Sequence, residues 1–473
     1  MAKRRDIRLI ALKGLVVSLC LGGFLYQTLQ FLLLYWTYPT VVDIQQTAPS
    51  YLQLPAFTFC NPIGYNLHEI CYGYGESPCI PTVLLKTFKK NICEKYPPSC
   101  YNGSIPKNFK VVNYEKFRRK VTITPEDHKR LSLKLTDYLN CTIEFAGTVK
   151  KCNMENVMGS FYSKEDLPQY CFSLYSLWGK PNKKREVIPK GATMKFSIFL
   201  NASRNNDTDI IDPQYFLPTN PSIQMAVHSP YFLPSPYIQG SNYLAGQAYE
   251  LTITMNERHL LPLPYKTNCT DYMKTWRERG GKAPINQLGI VQECRMKEMY
   301  ARKGCVPVTV DYPHSYNICR SCNPCEDNIA TDNCTMLADN FNQPCDSETY
   351  ATVKENRIIS RYDSYNSKFL TSKVGAIIRI LQYDCEGAKY WSKECSTLEI
   401  DVLFDRFEIT NITYNPKYES LEVFSVIGGY MGMWLGVSLL AVYDFIGTII
   451  MFIKSKIKKR KRKKVTPFKK LYY

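Results

Sequence analysis

The chain has 473 residues and a formal net charge of +18, a balance that at first fits a nucleic-acid binder. The location of the charge excludes that partner: the segment before Gly14 carries +4 and the segment after Ile453 carries +11, so +15 of the +18 lies in the two tails. Five histidines in the whole chain leave few candidates for general-base chemistry.

The first tail, residues 1–13, holds Lys3, Arg4, Arg5, Arg8 and Lys13 against Asp6. Residues 14–42 then contain no charged side chain. About 20 apolar residues at roughly 1.5 Å each cross a hydrocarbon core of about 30 Å, so 14–36 reads as a first transmembrane helix. Its apolar run is longer than a signal-peptide core and no A-x-A cleavage pattern follows, so it is read as retained. Gln27 and Gln30 lie on one face of it, either packing on a second span or acting as interhelical hydrogen-bond partners.

Residues 37–422 read as an extracellular domain. Basic flanks mark the cytoplasmic side of a membrane protein, and two spans with basic outer ends place everything between them outside. Sequons at Asn102, Asn140, Asn201, Asn206, Asn268, Asn333 and Asn411 all fall in that segment, as glycosylation requires. So do eighteen of the nineteen cysteines, an even set that reads as nine disulfides; Cys20 alone lies in the first span. Strand-like stretches recur at 195–201, 222–229, 249–256 and 398–409, the last leading towards a second span. The stretches 126–140 and 290–304 read as exposed helices. The class is α+β, with a β core, helices and disulfide-tied loops.

CRSCNPC at 319–325 admits two readings. With Cys334, the three cysteines Cys319, Cys322 and Cys325 fit a zinc or iron–sulfur site in a cytosolic protein; outside the cell disulfides are preferred. An enzyme is poorly supported. HEICY (68–72) has tyrosine where the zinc-protease motif needs its second histidine, and no G-x-S-x-G occurs.

Residues 423–453 form the second span, uncharged except for Asp444. Gly428, Gly432 and Gly436 recur every four residues. Close helix packing is the plain explanation of such a stripe. Three features favour an ion pathway instead. The run has 31 residues, long enough to need a tilt or a break. Asp444 is costly in lipid unless it faces a wet interior. Gly436, two residues before Ser438, lets the backbone open, and irregular backbone at membrane depth survives only against protein or a water-filled cavity. Oxygens of Gly436, Val437 and Ser438 can then replace part of a cation's hydration shell. One span cannot enclose a pore, so several subunits must contribute it. The basic tail, 454–473, reads as cytoplasmic, solvated or in contact with anionic lipid.

These segments resemble the degenerin/epithelial sodium channel superfamily. YPTVVD (38–43), LPAFTFCNP (54–62), CTIEFAG (141–147) with Cys152, and YCFSLYS (170–176) correspond to family elements. So do IQMAVHSP (223–230), ERHLLPLPYKTNC (257–269) and QPCDSETY (343–350). IGGYMGMWLGVSLLAVYD (427–444) is the most specific: it carries the G-x-S filter at Gly436–Val437–Ser438, with Asp444 where the family usually has glutamate.

The resemblance implies a trimeric, sodium-preferring, amiloride-sensitive channel in the plasma membrane, with a hand-like ectodomain. The trimer is of identical or related subunits, both termini are cytoplasmic, and no cofactor is needed beyond permeant sodium. It further implies disulfides Cys60–Cys171, Cys141–Cys152 and Cys269–Cys345; Cys385–Cys395 fits a short local loop. Gly428, Gly432, Asp444 and Glu422 are the expected pore-lining residues.

The sequence also departs from the family. The 13-residue amino-terminal tail lacks the family's His-Gly pair, the cysteines around Cys294 and Cys305 are sparser, and Cys71, Cys79, Cys93 and Cys100 are an addition. Glu422 stands where the family prefers a small residue. An ATP-gated channel lacks its N-F-R motif here; a non-conducting subunit or surface receptor on the same scaffold is the alternative. The trigger stays open among protons, peptides, force and constitutive opening.

Overall fold

The structure, a computed structural model, describes residues 2–62, 64–73, 78–81, 100, 102, 108–113, 116–117, 124–154, 158–164, 167–200, 210–211, 222–307, 309–319, 328–357, 393–404, 407–436 and 446–456. Contacts divide the chain into a smaller unit (Met1–Val42, Leu263–Thr267, Tyr414–Tyr473) and a larger one (Asp43–Pro262, Asn268–Thr413).

The larger unit is built on alternation. In strand Thr193–Phe199, Met194, Phe196 and Ile198 are buried and their neighbours half-buried. The same pattern in Thr397–Leu403 buries Leu398, Ile400 and Val402. The two strands pair antiparallel with Phe196 opposite Ile400, and Leu139–Phe145 pairs on the other side with Cys141 opposite Phe196. A one-residue slip would turn every one of these side chains to the wrong face, so the register is set by burial. These strands belong to an eight-stranded sheet. Strand Ala248–His259 carries the equally long Asp346–Arg357 antiparallel along one edge; Thr397–Leu403 and Ile409–Pro416 share the other edge, both parallel.

A five-stranded sheet centres on Ala56–Cys60, whose five residues are all buried, between Ser222–His228 and Leu167–Leu174. Phe57 and Phe59 set their rings edge-on to Phe196, each with centroids 5.2 Å away, which joins the two sheets in one core. A polar thread crosses this packing. The Nδ1–H of His228 donates to the carbonyl of Ser229 (2.8 Å), leaving Nε2 to accept from the Thr58 hydroxyl (2.7 Å), which itself meets Ser173 at 2.5 Å. Burial pushes the His228 imidazole down to about 4, so the neutral ring is the folded form.

Arg185 makes a second buried polar knot. Its guanidinium donates to both Glu348 carboxylate oxygens at 2.9 Å and to the Tyr350 hydroxyl at 2.6 Å. The two terminal nitrogens divide the partners, Nη1 on the carboxylate and Nη2 on the hydroxyl, a division that the single nitrogen of a lysine cannot make.

Three helical or strand expectations need correction. Residues 126–140 form no single exposed helix: Pro125–Leu131 and Leu135–Tyr138 are separate, and strand Leu139–Phe145 follows at once. Leu131, Leu135 and Tyr138, spaced by four and three, make a buried stripe rather than an exposed one. The strand expected over 398–409 stops at Leu403, and a new one starts at Ile409. Phe404 and Phe407 between them are both buried, a spacing of three that a two-residue strand period cannot keep on one face. The expected helix at 290–304 is present as Gln287–Lys303, opened by the Asn286 side chain on the Gly289 N–H and closed by Gly304 in the left-handed region. It is not wholly exposed, since Met296 and Met299 are buried.

Six disulfides have both cysteines among the described residues of the larger unit. Cys60–Cys171, Cys141–Cys152 and Cys269–Cys345 form as the resemblance implies. Cys71–Cys79 lies within the added cysteine group, while Cys294–Cys334 and Cys305–Cys319 tie the helical region. Cys319 and Cys334 are therefore half-cystines rather than metal ligands; Cys322 and Cys325 lie outside the described residues. Cys395 is disulfide-bonded, and its expected partner Cys385 is outside the described residues as well. Cys20 is a free thiol.

Candidate functional site: the paired helices of the smaller unit

The amino-terminal helix runs from Ala2 to Tyr35, and its stretch Ala11–Tyr35 is long and apolar enough to cross a membrane. At its end the Thr37 hydroxyl donates to the Leu34 carbonyl (2.7 Å), and Tyr38 takes a left-handed backbone. The Tyr38 ring sits edge-on to Tyr265, and the Lys417 N–H donates to the Pro39 carbonyl at 2.9 Å.

The second helix, Ser420–Leu435, starts with a reciprocal cap. The Glu419 N–H donates to the Glu422 carboxylate at 3.1 Å, so Glu422 is held in the first turn, where a carboxylate suits the helix dipole. The helix stops at Gly436, which has φ 63° and returns its N–H to the Gly432 carbonyl. Glycine occupies that conformation without the steric cost a Cβ would bring. Sixteen residues at about 1.5 Å make a helix of roughly 24 Å, short of a hydrocarbon core of about 30 Å. The chain is helical again over 446–456. The second apolar run is thus interrupted at Gly436 rather than one continuous helix.

One seam joins the two helices. Gly23, Gln27 and Phe31, four residues apart, form its amino-terminal side. The Trp434 indole lies on Gly23 so closely that a Cβ there would stand 2.7 Å from the ring. Its Nε1–H donates to the Gln27 side-chain oxygen at 2.8 Å. Phe31, buried, meets Tyr418 and Tyr430 edge-on at 5.3 and 6.4 Å. Only one of the two glutamines belongs to this seam: Gln30 is exposed and donates to the Tyr26 hydroxyl of its own helix. The seam itself was partly hidden in sequence, because Gly23 and Trp434 are 411 residues apart.

The glycines of the second helix are not what makes that close contact. Gly432 and Gly436 are exposed, and a Cβ on either would meet nothing within 4 Å among the described residues; Gly428 is half-buried. Val437, Ser438 and Asp444 lie outside the described residues. Of the sequons, Asn102, Asn140 and Asn333 are exposed, Asn268 and Asn411 are half-buried, and Asn201 and Asn206 lie outside the described residues.

A membrane-length amino-terminal helix and a disulfide-tied β unit agree with the sequence resemblance. The family pattern described as amiloride-sensitive sodium channel matches residues 8–447. The chain belongs to that family. It is 22% identical over 356 residues to the degenerin-like protein asic-1 of Caenorhabditis elegans, covering 72% of this chain and 39% of the relative. It is 20% identical to acid-sensing ion channel 1C of Danio rerio (92% of this chain, 78% of the relative). Acid-sensing ion channel 1 of Gallus gallus is 21% identical, over 95% of this chain and 81% of its own length. The chain spans about two-fifths of the nematode relative and about four-fifths of the other two. As a member of the amiloride-sensitive sodium channel family it is an ion-channel subunit and not an enzyme. Channels of this family assemble from related subunits in the plasma membrane.

Proposed function

We propose that the chain is a pore-forming subunit of a trimeric, sodium-preferring, amiloride-sensitive cation channel. Residues 14–36 and 423–453 are its spans, 37–422 its extracellular domain, and 1–13 and 454–473 its cytoplasmic tails. Gly436, Val437 and Ser438 form the filter, Gly428 and Gly432 line the path above it, Asp444 lines it below, and Glu422 stands near the outer mouth. The seven sequons carry glycans and the basic tail meets anionic lipid.

The termination of the second helix at Gly436 carries this reading. A left-handed glycine there turns the backbone out of the helix two residues before Ser438, and a filter built from peptide oxygens needs backbone that has left the helix. The side of Gly432 and Gly436 that no described residue covers supports it further: such a surface is available to water or to identical helices. Reversal potentials test the proposal. Substitution of Ser438 by larger residues in cells expressing the full chain is expected to lower sodium-over-potassium selectivity. An unchanged ratio across several such substitutions overturns the filter assignment. Silence of the chain alone, with current only beside a second subunit, supports the non-conducting alternative.

A further inference from the structure

The smaller unit includes one short piece from the middle of the sequence, Leu263–Thr267. Tyr265 pins it there: its ring is edge-on to Tyr38 with centroids 5.7 Å apart, and the Tyr38 ring lies 6.2 Å from that of Tyr35, the last residue of the first helix. Leu263, at the start of this piece, is 70% exposed.

The length of the first helix sets the level of the turn. The apolar stretch Ala11–Tyr35 has 25 residues, about 37 Å of helix. Centred on a hydrocarbon core of about 30 Å in a bilayer of about 40–45 Å, its end falls in the headgroup layer. The rings of Tyr35, Tyr38 and Tyr265 therefore hold the turn at that layer. The neighbouring surface is continuous with the exposed face of the helix, where Leu29, Leu33, Leu34 and then Trp36 are all exposed. Tryptophan and tyrosine are the side chains favoured at such an interface. Lys266 and Lys417 are exposed as well, and a lysine lays its apolar stem along lipid while its ammonium reaches a phosphate. The backbone suits the same surroundings: Pro262 and Pro264 carry no N–H, so the turn brings two fewer donors that would have to give up water.

We infer that Leu263 anchors this turn in the outer leaflet, its side chain among phospholipid headgroups and upper acyl chains, with Trp36 and Tyr265 at the same level. The inference rests on the topology proposed above, in which residues 14–36 cross the membrane and 37–422 lie outside. A bilayer supplies both partners that the turn presents, apolar depth for Leu263 and phosphate for the two lysines. The anchor is a lipid contact outside the spans, separate from the basic carboxy-terminal tail, and it needs no ion pathway.

Photocrosslinking of the full chain in phosphatidylcholine nanodiscs tests this, with p-benzoylphenylalanine in place of one exposed residue at a time and adducts read by mass spectrometry. Leu263 is expected to give a phosphatidylcholine adduct, and so is Leu29, on the exposed face of the first span. Val353, an exposed apolar position of the larger unit, is expected to give none. Lipid at Leu29 but not at Leu263, equal lipid at Leu263 and Val353, or a Leu263 adduct to a second copy of the chain overturns the anchor and leaves the channel proposal standing. No lipid at either Leu29 or Leu263 overturns the span itself, and the anchor with it. Leu263→Trp gives an independent readout: its added fluorescence is expected to be quenched when the phosphatidylcholine carries brominated acyl chains, and unquenched emission overturns the anchor.

Discussion

Phe196 and Phe424 are the same residue type in opposite circumstances. Phe196 is wholly buried between Phe57 and Phe59, in a sheet core where every second residue turns inward. Phe424, in the first turns of the second apolar helix, is 71% exposed, and Leu421 beside it is 76% exposed. The larger unit therefore completes its own hydrophobic interior, whereas the helix pair meets its apolar needs at one seam and leaves the rest uncovered. A soluble protein does not expose apolar surface on that scale; lipid or neighbouring subunits account for it. Side-chain identity says little about stability until it is known which of these settings the residue occupies.

That contrast can be broken most sharply by truncation. Phe196→Ala is expected to destabilise the larger unit by about 3–5 kcal/mol, measured by chemical unfolding of the full chain in detergent. Phe424→Ala is expected to change the same transition by no more than about 0.5 kcal/mol. Equal effects would mean that the two settings do not differ as described. Arg185→Ala is expected to cost about 3 kcal/mol, because Glu348 is left without its partner in a largely buried site. Pairing it with Glu348→Gln should recover part of that loss in a double-mutant cycle.

Acid sharpens the comparison next. Burial holds His228 down to about 4 and His128 down to about 3, with Asp127 opposing the shift at His128. An unfolded histidine protonates near 6.5, so the unfolded state gains protons first as pH falls. Stability from these neutral rings is complete above about pH 6.5 and declines towards pH 4, by up to about 1.4 kcal/mol per pH unit for each ring. His228→Gln should flatten that slope in pH-dependent unfolding. No such slope is expected from the described part of the paired helices, which contains no histidine. A small effect is expected at the seam: Trp434→Phe removes one interhelical hydrogen bond and is expected to weaken helix association by about 0.6 kcal/mol, read by proximity of labels on the two helices.

Where the side-chain period was regular, sequence and structure agree closely. The strands at 193–199, 222–228 and 248–259 lie within a few residues of their expected places, because burial on one face imposes a two-residue rhythm. Phe404 and Phe407 broke that rhythm, and the expected strand broke there too. Pairings such as Cys269–Cys345 were accessible only by resemblance, since spacing cannot choose among the partners of eighteen cysteines. The Arg185–Glu348–Tyr350 knot had no local signal, Arg185 being more than 160 residues from the other two. In the helix pair, the need for a tilt or a break was legible from length, and the helix ends at Gly436. The partner of Gln27 was not, because nothing in either helix alone selects Trp434.

The stop at Gly436 has an electrical corollary. Sixteen aligned peptide dipoles end there with their negative pole, equivalent to about half an elementary charge, and the turn leaves that pole unshielded by any side chain of the glycine itself. In the pore proposed above, that pole would attract a positive ion before a single acidic residue is counted and would oppose a chloride ion.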